Sequence, residues 1–297
     1  MTKLHHLEAD DPSSWPPVLC GLIGSGIGAS RTPAMHEHEG AAQRLRYTYQ
    51  LIDLDVLGLG VEALDDLLTG ATRLGFAGLN ITYPCKQAIL PLLDELSKDA
   101  RALGAVNTVV LRNGKRIGHN TDWWGFAEGF RRGLPGAPLE RVVQLGAGGA
   151  GAAVAHAVLT LGAGSLTIFD TDMAKAAALA QDLSSRFGAG RAQVGADLPA
   201  AMSTAVGLIN CTPIGMAKMP GTPLPVNLLH PELWVAEIVY FPLETELLRS
   251  ARAVGCRTAH GGGMAVFQAV EAFRLFTGIT PDAERMQRHF ASMVDRV

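Results

Sequence analysis

Short apolar runs alternate with stretches of helical periodicity along the whole chain, an order that predicts α/β architecture with largely parallel sheets. The runs "VLCGLIG" (18–24), "YTYQLIDL" (47–54) and "FAGLNIT" (76–82) read as the first three strands, with "TPAMHEHEGAAQRL" and "LDDLLTGATRLG" as the helices between them. Asn113-Gly114 between two apolar runs is a strong turn signal, so residues 105–121 are expected to form a hairpin. From Asp122 the pattern changes to a helix, "DWWGFAEGFRRGL", a Pro- and Gly-containing loop, and then regular alternation of strand and helix. There "RVVQLG" (141–146), "SLTIFD" (165–170), "VGLINC" (206–211) and "WVAEIVY" (234–240) are the strands. The helical run "MAVFQAVEAFRLFTG" follows "HGGG" near 260. These changes place one α/β domain at 1–121 with 261–297, its C-terminal helices returning to it, and a second domain at 122–260.

One local feature fits this pattern poorly. "NITYPCKQAIL" (80–90) puts Pro84 where a first helical residue belongs and Lys86 in the opening turn. A cation there faces the positive end of the helix dipole, at a cost of a few tenths to about 1 kcal/mol when exposed. A solvated lysine gains nothing from that placement, so a functional role carries more weight at Lys86 than at an average lysine.

Composition narrows the classes. The chain has 297 residues, 48% of them hydrophobic, and its 25 Lys+Arg against 28 Asp+Glu give a net charge of −3, so a folded protein that does not track nucleic acid is expected. No apolar run is long enough to span a bilayer, and the opening "MTKLHHLEADDPSSWPPVLCG" lacks the basic-then-apolar order of a signal peptide, so a cytoplasmic location is expected. Cys20, Cys85, Cys211 and Cys256 are widely separated and read as reduced thiols. "MHEHE" (35–39) has no metal-ligand spacing, so His36 and His38 read as polar residues on the first helix, and no metal is expected.

The strongest chemical signal is Gly146-x-Gly148-x-x-Gly151, directly after a strand and at the start of a helix. Gly146, Ala147, Gly148, Gly149, Ala150 and Gly151 can turn tightly and let backbone N–H groups meet a pyrophosphate at a helix N-terminus, the Rossmann-type doubly wound arrangement. The next strand ends at Asp170, in the window for the acid that meets a ribose 2′-hydroxyl. Asp170 and Asp172 stand where an NADP enzyme needs a cation, so NAD is the expected cofactor. The competing role for Asp170 is to cap the next helix.

In the first domain, Ser30 and Thr32, then Asn80, Thr82 and Lys86, then Asn107 and Asp122 lie at or just past predicted strand ends, where open α/β sheets bind ligands. Hydroxyls and amides of this kind suit a small, polyhydroxylated, anionic molecule. Ser30 and Thr32 could equally cap a helix, and Asp122 sits where an N-cap belongs.

Taken in order, "SRTPAMHE", "NITYPCKQ", "GAVNT", "GHNTDWWGF", "GAGGAG", "NCTPIGM", "VYFPLETELL" and "GMAVFQAVEAF" resemble the shikimate dehydrogenase family from about residue 18 to 280, most closely its bacterial NAD-using quinate/shikimate branch. The resemblance implies a substrate-binding catalytic domain at 1–121 and 261–297 and an NAD-binding domain at 122–260. It implies hydride transfer between NAD and the C3 hydroxyl of shikimate or quinate, polyhydroxy cyclic carboxylates, by a monomer or homodimer. Lys86 and Asp122 would flank the reacting hydroxyl, Lys86 exchanging the proton and Asp122 orienting it. Ser30 and Thr32 would hold the carboxylate, with Tyr240 nearby, and Thr82, Asn107 and Gln268 would bind ring hydroxyls. Cys211, Thr212 and Met264 would line the cofactor site, and Asn80 would be scaffold. Thr32 departs from the Ser-x-Ser of the biosynthetic enzymes; one methyl shifts discrimination by about 1–3 kcal/mol, enough to bias substrate choice. "HGGG" is more flexible than a cofactor-contacting loop should be. Aminoshikimate or aminoquinate substrates, a non-catalytic ligand sensor and a folate-pathway dehydrogenase are the alternatives; no spare carboxylate greets an ammonium, a sensor need not keep Lys86 and Asp122, and the Ser30/Thr32 pair does not support the last.

Overall fold

The structure, a computed structural model, describes residues 11–294, so half of the opening stretch on which the expected lack of a leader rests lies outside the described residues. The chain divides into two compact units: residues up to Thr121 together with those from Ala269 onward, and Asp122–Gln268.

The first unit opens with β1 (Pro17–Gly24), α1 (Thr32–Ala42), β2 (Arg46–Asp53), α2 (Leu54–Leu57), α3 (Leu64–Arg73), β3 (Gly78–Ile81) and α4 (Cys85–Ala88). It continues with β4 (Glu95–Leu96), α5 (Lys98–Leu103), β5 (Thr108–Arg112) and β6 (Lys115–His119). These strands form one sheet in the order β2-β1-β3-β5-β6-β4. β1 runs parallel to β2 and β3, whereas β5 is antiparallel to β3 and to β6. β1 and β3 read as continuous apolar runs because both faces of this sheet are covered. Ile23, Leu64, Leu68, Leu79 and Ile89 pack on one side, and Cys20, Leu22, Tyr47, Tyr49, Phe273 and Phe276 on the other. The hairpin expected at 105–121 is β5–β6, and Asn113 (φ 54°) with Gly114 (φ 73°) supplies the two left-handed residues of a type I′ turn.

Two local expectations are corrected. Pro84 precedes the first helical residue, and the helix after it is the single turn α4; Pro91 has no N–H to extend it and sits in a 3₁₀ turn at Leu90–Leu92. Four residues align too few peptides for a helix dipole of consequence, so the dipole argument at Lys86 loses its source. His36 lies on α1 as expected and is fully buried among Tyr47, Tyr49, Phe273 and Phe276; its Nδ1 lies 3.0 Å from the Tyr47 hydroxyl, and burial pushes its pKa down to about 3. His38 is exposed and stacks on His289.

The second unit runs α6 (Asp122–Gly133), β7 (Arg141–Leu145), α7 (Gly149–Thr160), β8 (Ser165–Phe169), α8 (Met173–Phe187), β9 (Ala192–Val194), α9 (Leu198–Met202), β10 (Gly207–Asn210), β11 (Trp234–Glu237), α10 (Glu246–Val254) and β12 (Arg257–Ala259). Its strands are all parallel, in the order β12-β11-β10-β7-β8-β9. This is the doubly wound Rossmann arrangement, with the order reversing between β7 and β10. α11 (Gly262–Thr277) carries the chain back, and α12 (Ala283–Val294) closes on α1. There the buried Glu39 carboxylate accepts from Arg285 Nε (2.7 Å) and Nη2 (2.8 Å) and from the Asp282 N–H (2.9 Å). Among the described residues no helix is long and apolar enough to cross a membrane.

The unit division falls between Gln268 and Ala269, inside α11, rather than near 260. The reason is a close approach of α6 and α11. A Cβ on Gly125 would lie 2.6 Å from the Gln268 nitrogen and 2.8 Å from the Met264 carbonyl oxygen, and one on Gly129 would lie 3.2 Å from the Met264 nitrogen. "HGGG" is therefore not a flexible loop. Gly262 and Gly263 form the first turn of α11, and a Cβ on Gly261 would meet the Ile238 and Val239 carbonyls at 2.4 Å. Gly125→Ala should destabilise the protein by about 1–3 kcal/mol, because backbone on the other helix must move. Helix propensity alone predicts the opposite sign, a gain of up to about 1 kcal/mol. Thermal melts followed by circular dichroism decide: a raised Tm contradicts the packing argument.

Candidate active site

In the first unit, Ser30 and Thr32, Thr82 and Lys86, and Asn107 follow the ends of β1 and β3 or precede β5, at one end of the sheet. Asp53, at the end of β2, shapes the loop that leads to Ser30 and Thr32: its carboxylate accepts from the Gly26 N–H (3.0 Å), the Ile27 N–H (2.9 Å) and the Asp55 N–H (3.1 Å). Desolvation pushes this carboxyl up, but N–H donation from Gly26, Ile27, Asp55 and Val56 outweighs it, and the pKa lies below the usual carboxylate value. Thr32 is the first residue of α1, and its N–H donates to Ser30 Oγ at 3.3 Å, so Ser30 serves the helix end while Arg31 occupies the N-cap position without a side-chain bond. Both hydroxyl residues are half-buried.

Past β3, Thr82 and Lys86 are half-buried, and α4 is held by Cys85 and Ile89, both fully buried, and by the Val106 N–H donating to the Lys86 carbonyl at 2.9 Å. Asn107 is fixed by its neighbours: Nδ2 donates to Thr121 Oγ1 (3.0 Å) and Oδ1 accepts from the Thr121 N–H (2.7 Å) and the Thr108 hydroxyl (3.1 Å). Asn80 is scaffold, accepting from the Tyr49 hydroxyl (2.7 Å) and donating to Thr108 Oγ1 (2.9 Å) and the Asn107 carbonyl (3.3 Å).

In the second unit, the glycine loop lies at the switch point. Gly146 has φ 98°, and a Cβ there would sit 2.7 Å from the Cys211 carbonyl oxygen; one on Gly151 would sit 2.4 Å from the Gly146 carbonyl oxygen. Only glycine permits both approaches. Gly148 and Gly149 have open space on the side a Cβ would take, and α7 starts after Gly148 with no side-chain cap. Open approach plus uncapped N–H groups is what a pyrophosphate requires. Gln144, fully buried in β7, pins the turn by donating to the carbonyls of Gly146 (2.8 Å) and Gly151 (2.9 Å).

The capping role considered for Asp170 belongs to Asp172, whose Oδ1 accepts from the N–H groups of Ala174 (3.1 Å) and Lys175 (3.2 Å). Asp170 instead reaches back to the glycine loop, Oδ2 accepting from the Ala147 N–H at 2.6 Å and Oδ1 from the Asp172 N–H at 2.8 Å. Cys211 meets the glycine turn with its backbone, while its buried thiol is pushed well above its usual pKa, first by burial and then by the Glu237 charge. Thr212 is held by Asn210 Oδ1, which accepts from its N–H (2.9 Å) and hydroxyl (2.7 Å). Asp122 is buried at the start of α6; Met264 and Gln268 lie on α11 beside that helix, Gln268 Nε2 donating to the Ala265 carbonyl at 3.0 Å; Tyr240 is exposed just past β11. Sequence inspection did not single out Asp53, Gln144, Asn210 or Glu237. Their one signal was a polar residue inside or at the end of an apolar strand. Among the described residues no group of three or more His, Cys, Asp or Glu is placed to hold a metal.

A doubly wound sheet with a glycine turn and a following acid, in a chain whose other unit has hydroxyls, amides and a lysine at one end of its sheet, defines a dinucleotide-dependent oxidoreductase of a small polar molecule. Comparisons narrow the class. Residues 22–109 match the model of the shikimate dehydrogenase substrate binding domain, and residues 261–289 that of the shikimate 5′-dehydrogenase C-terminal domain. The chain is 61% identical to a shikimate dehydrogenase (NADP(+)) of Streptomyces avermitilis, over 93% of this chain and 95% of the relative. It is 50% identical to a quinate/shikimate dehydrogenase (NAD(+)) of Corynebacterium efficiens, over 93% and 98%. The structure of quinate dehydrogenase from Corynebacterium glutamicum in complex with NAD superposes with a TM-score of 0.90 at 48% identity, over 93% of this chain and 99% of that one. The chain belongs to the shikimate dehydrogenase family.

Proposed function

We propose that the protein transfers a hydride between NAD and the C3 hydroxyl of shikimate or quinate, interconverting each with its 3-dehydro form. The observation that carries the cofactor choice is Asp170, whose carboxylate lies against the glycine loop at Ala147 while Asp172 does the capping. A carboxylate there accepts from a ribose 2′-hydroxyl and repels a 2′-phosphate. The open sides of Gly148 and Gly149 and the uncapped start of α7 suit the pyrophosphate.

When bound, the nicotinamide supplies the hydride acceptor; this chain's residues supply position and proton handling. Lys86 takes the hydroxyl proton as the C3 hydrogen leaves with its electron pair, and Asp122 orients it. Ser30 and Thr32 bind the carboxylate with Tyr240 nearby, and Thr82, Asn107 and Gln268 bind ring hydroxyls. Ala150 and Gly151 complete the turn under the pyrophosphate, with Cys211, Thr212 and Met264 lining the dinucleotide site. Residues 1–121 and 261–297 form the substrate-binding catalytic domain and 122–260 the dinucleotide-binding domain, with Asp122 and Tyr240 of the latter reaching the substrate.

The test is reduction of NAD and NADP, followed by absorbance, with shikimate, quinate and their amino analogues. Turnover with none of them rejects the catalytic reading, and NADP preference rejects the cofactor assignment. Ser30→Ala should reduce kcat/KM for the carboxylate substrate about 10- to 100-fold, the range for losing a hydrogen bond to a charged group. Most of the change should fall on KM; a KM unchanged in steady-state kinetics removes Ser30 from the carboxylate site.

A further inference from the structure

Glu237, the last residue of β11, is 2% exposed, and neutral donors meet its carboxylate. Asn210 Nδ2 donates to Oε1 (3.0 Å) and Oε2 (3.1 Å), the Val239 N–H to Oε1 (3.0 Å), and the Thr245 hydroxyl to Oε2 (3.3 Å). These donors sit on three separate segments. Asn210 ends β10 and shapes the loop after it, holding Thr212 through Oδ1 and donating from Nδ2 to the Ile214 carbonyl at 2.9 Å. Val239 leads into Tyr240, and Thr245 is the N-cap of α10, accepting from the Leu248 N–H at 3.3 Å. The loop after β10 backs onto the glycine turn through the close approach of Cys211 and Gly146.

We propose that Glu237 is a positioning residue of the dinucleotide site, whose carboxylate, by holding Asn210 and Val239 together, fixes the loop behind the glycine turn and the segment leading to Tyr240. The inference rests on the dinucleotide reading above. An ionised acceptor makes hydrogen bonds roughly twice as strong as a neutral one, so the hold depends on charge. Burial pushes the Glu237 carboxyl up to about 7, even though donation from Asn210, Val239, Thr245 and Ile238 pulls it down.

The groups facing it sharpen this. Just past β10 comes the Cys211 thiol, raised well above its usual value and therefore neutral throughout; from the N-cap of α10 the Thr245 hydroxyl; from the segment past β11 the N–H groups of Ile238 and Val239; from the loop after β10 the Gly215 backbone. A protonated carboxyl in this nest has lost acceptor strength and must donate its own proton among groups that are mostly donors. Of the donors named above, the Thr245 hydroxyl is the one that can turn to accept it. The hold is therefore firm above neutrality and weakens as pH falls through the carboxyl's pKa.

NAD affinity of the full chain, Glu237→Gln and Glu237→Asp, measured by intrinsic fluorescence from about pH 5.5 to 8.5, tests this. Gln mimics the protonated acid and Asp keeps the charge. Wild-type affinity should drop several-fold as pH falls through 7, the Gln variant should be flat at the weaker value, and the Asp variant should keep a pH-dependent profile. At pH 8 the Gln variant should raise KM for NAD several-fold with less than a twofold change in kcat. Parallel profiles for wild type and Gln with tight NAD binding overturn the role of Glu237 and leave the dinucleotide reading standing. A flat wild-type profile overturns it even if the Gln chain does not fold, and a wild type that binds NAD at no pH overturns both.

Discussion

Lys86→Ala should lower kcat by about 10²- to 10⁴-fold, the contribution of a positioned acid–base group, with a much smaller change in KM. The backbone should not confuse this result. α4 is anchored by Cys85 and Ile89 in the core and by the Val106 N–H on the Lys86 carbonyl, none of which involves the lysine side chain. Alanine is also a good helix former, so the turn has no reason to open. A lysine that only bound substrate would show the reverse pattern, a raised KM at constant kcat. Steady-state kinetics at saturating NAD separates the two, and an unchanged kcat would falsify the proton-handling role.

The proline and the following cation are where the sequence puts them, but α4 is one turn, so its dipole does not explain the lysine; the role proposed for Lys86 rests instead on its place past β3, at the end of the sheet where Thr82 and Asn107 also lie. Elements with a strong local cause were legible: the Asn113-Gly114 turn demands two left-handed residues, and Gly146 and Gly151 admit no side chain. The edge strands β9 and β12 were not legible, since each is three residues long and carries no apolar run. The glycines of "HGGG" misled because flexibility and close packing require the same residue, and only the neighbouring α6 glycines reveal which applies. The polar residues Asp53, Gln144, Asn210 and Glu237 escaped for a different reason: each bonds a group two residues further on, and Asp53 and the Asn210–Glu237 pair also bond across 26 or 27 residues, which no local pattern specifies.

The wild-type protein should favour NAD over NADP by at least about 100-fold in kcat/KM, roughly 3 kcal/mol of transition-state discrimination, and Asp170→Asn should shrink that ratio to within about tenfold. The relatives do not decide this, since both NADP and NAD names occur among close matches. Electrostatics at the end of β8 does. A 2′-phosphate brought to the end of β8 meets the Asp170 carboxylate, and Lys175, the cation of that segment, is paired with Asp172 at 3.4 Å on the surface of α8. Asn is a cleaner substitution than Ala because Asp170 has a second role, accepting the Ala147 N–H at 2.6 Å. With its amide oxygen toward Ala147, asparagine keeps that acceptor and the glycine turn while removing the charge, giving up the bond from the Asp172 N–H to Oδ1; alanine would lose both bonds and loosen the turn for both cofactors. Two effects should follow in the Asn variant. NADP efficiency rises because the repulsion is gone, and NAD efficiency falls by about 10- to 100-fold because a charge-assisted bond to the ribose becomes a neutral one or is lost. Kinetics with both cofactors on both chains reads the four values directly. If the ratio is unchanged in the Asn variant, Asp170 does not choose the cofactor and its carboxylate serves the glycine turn alone.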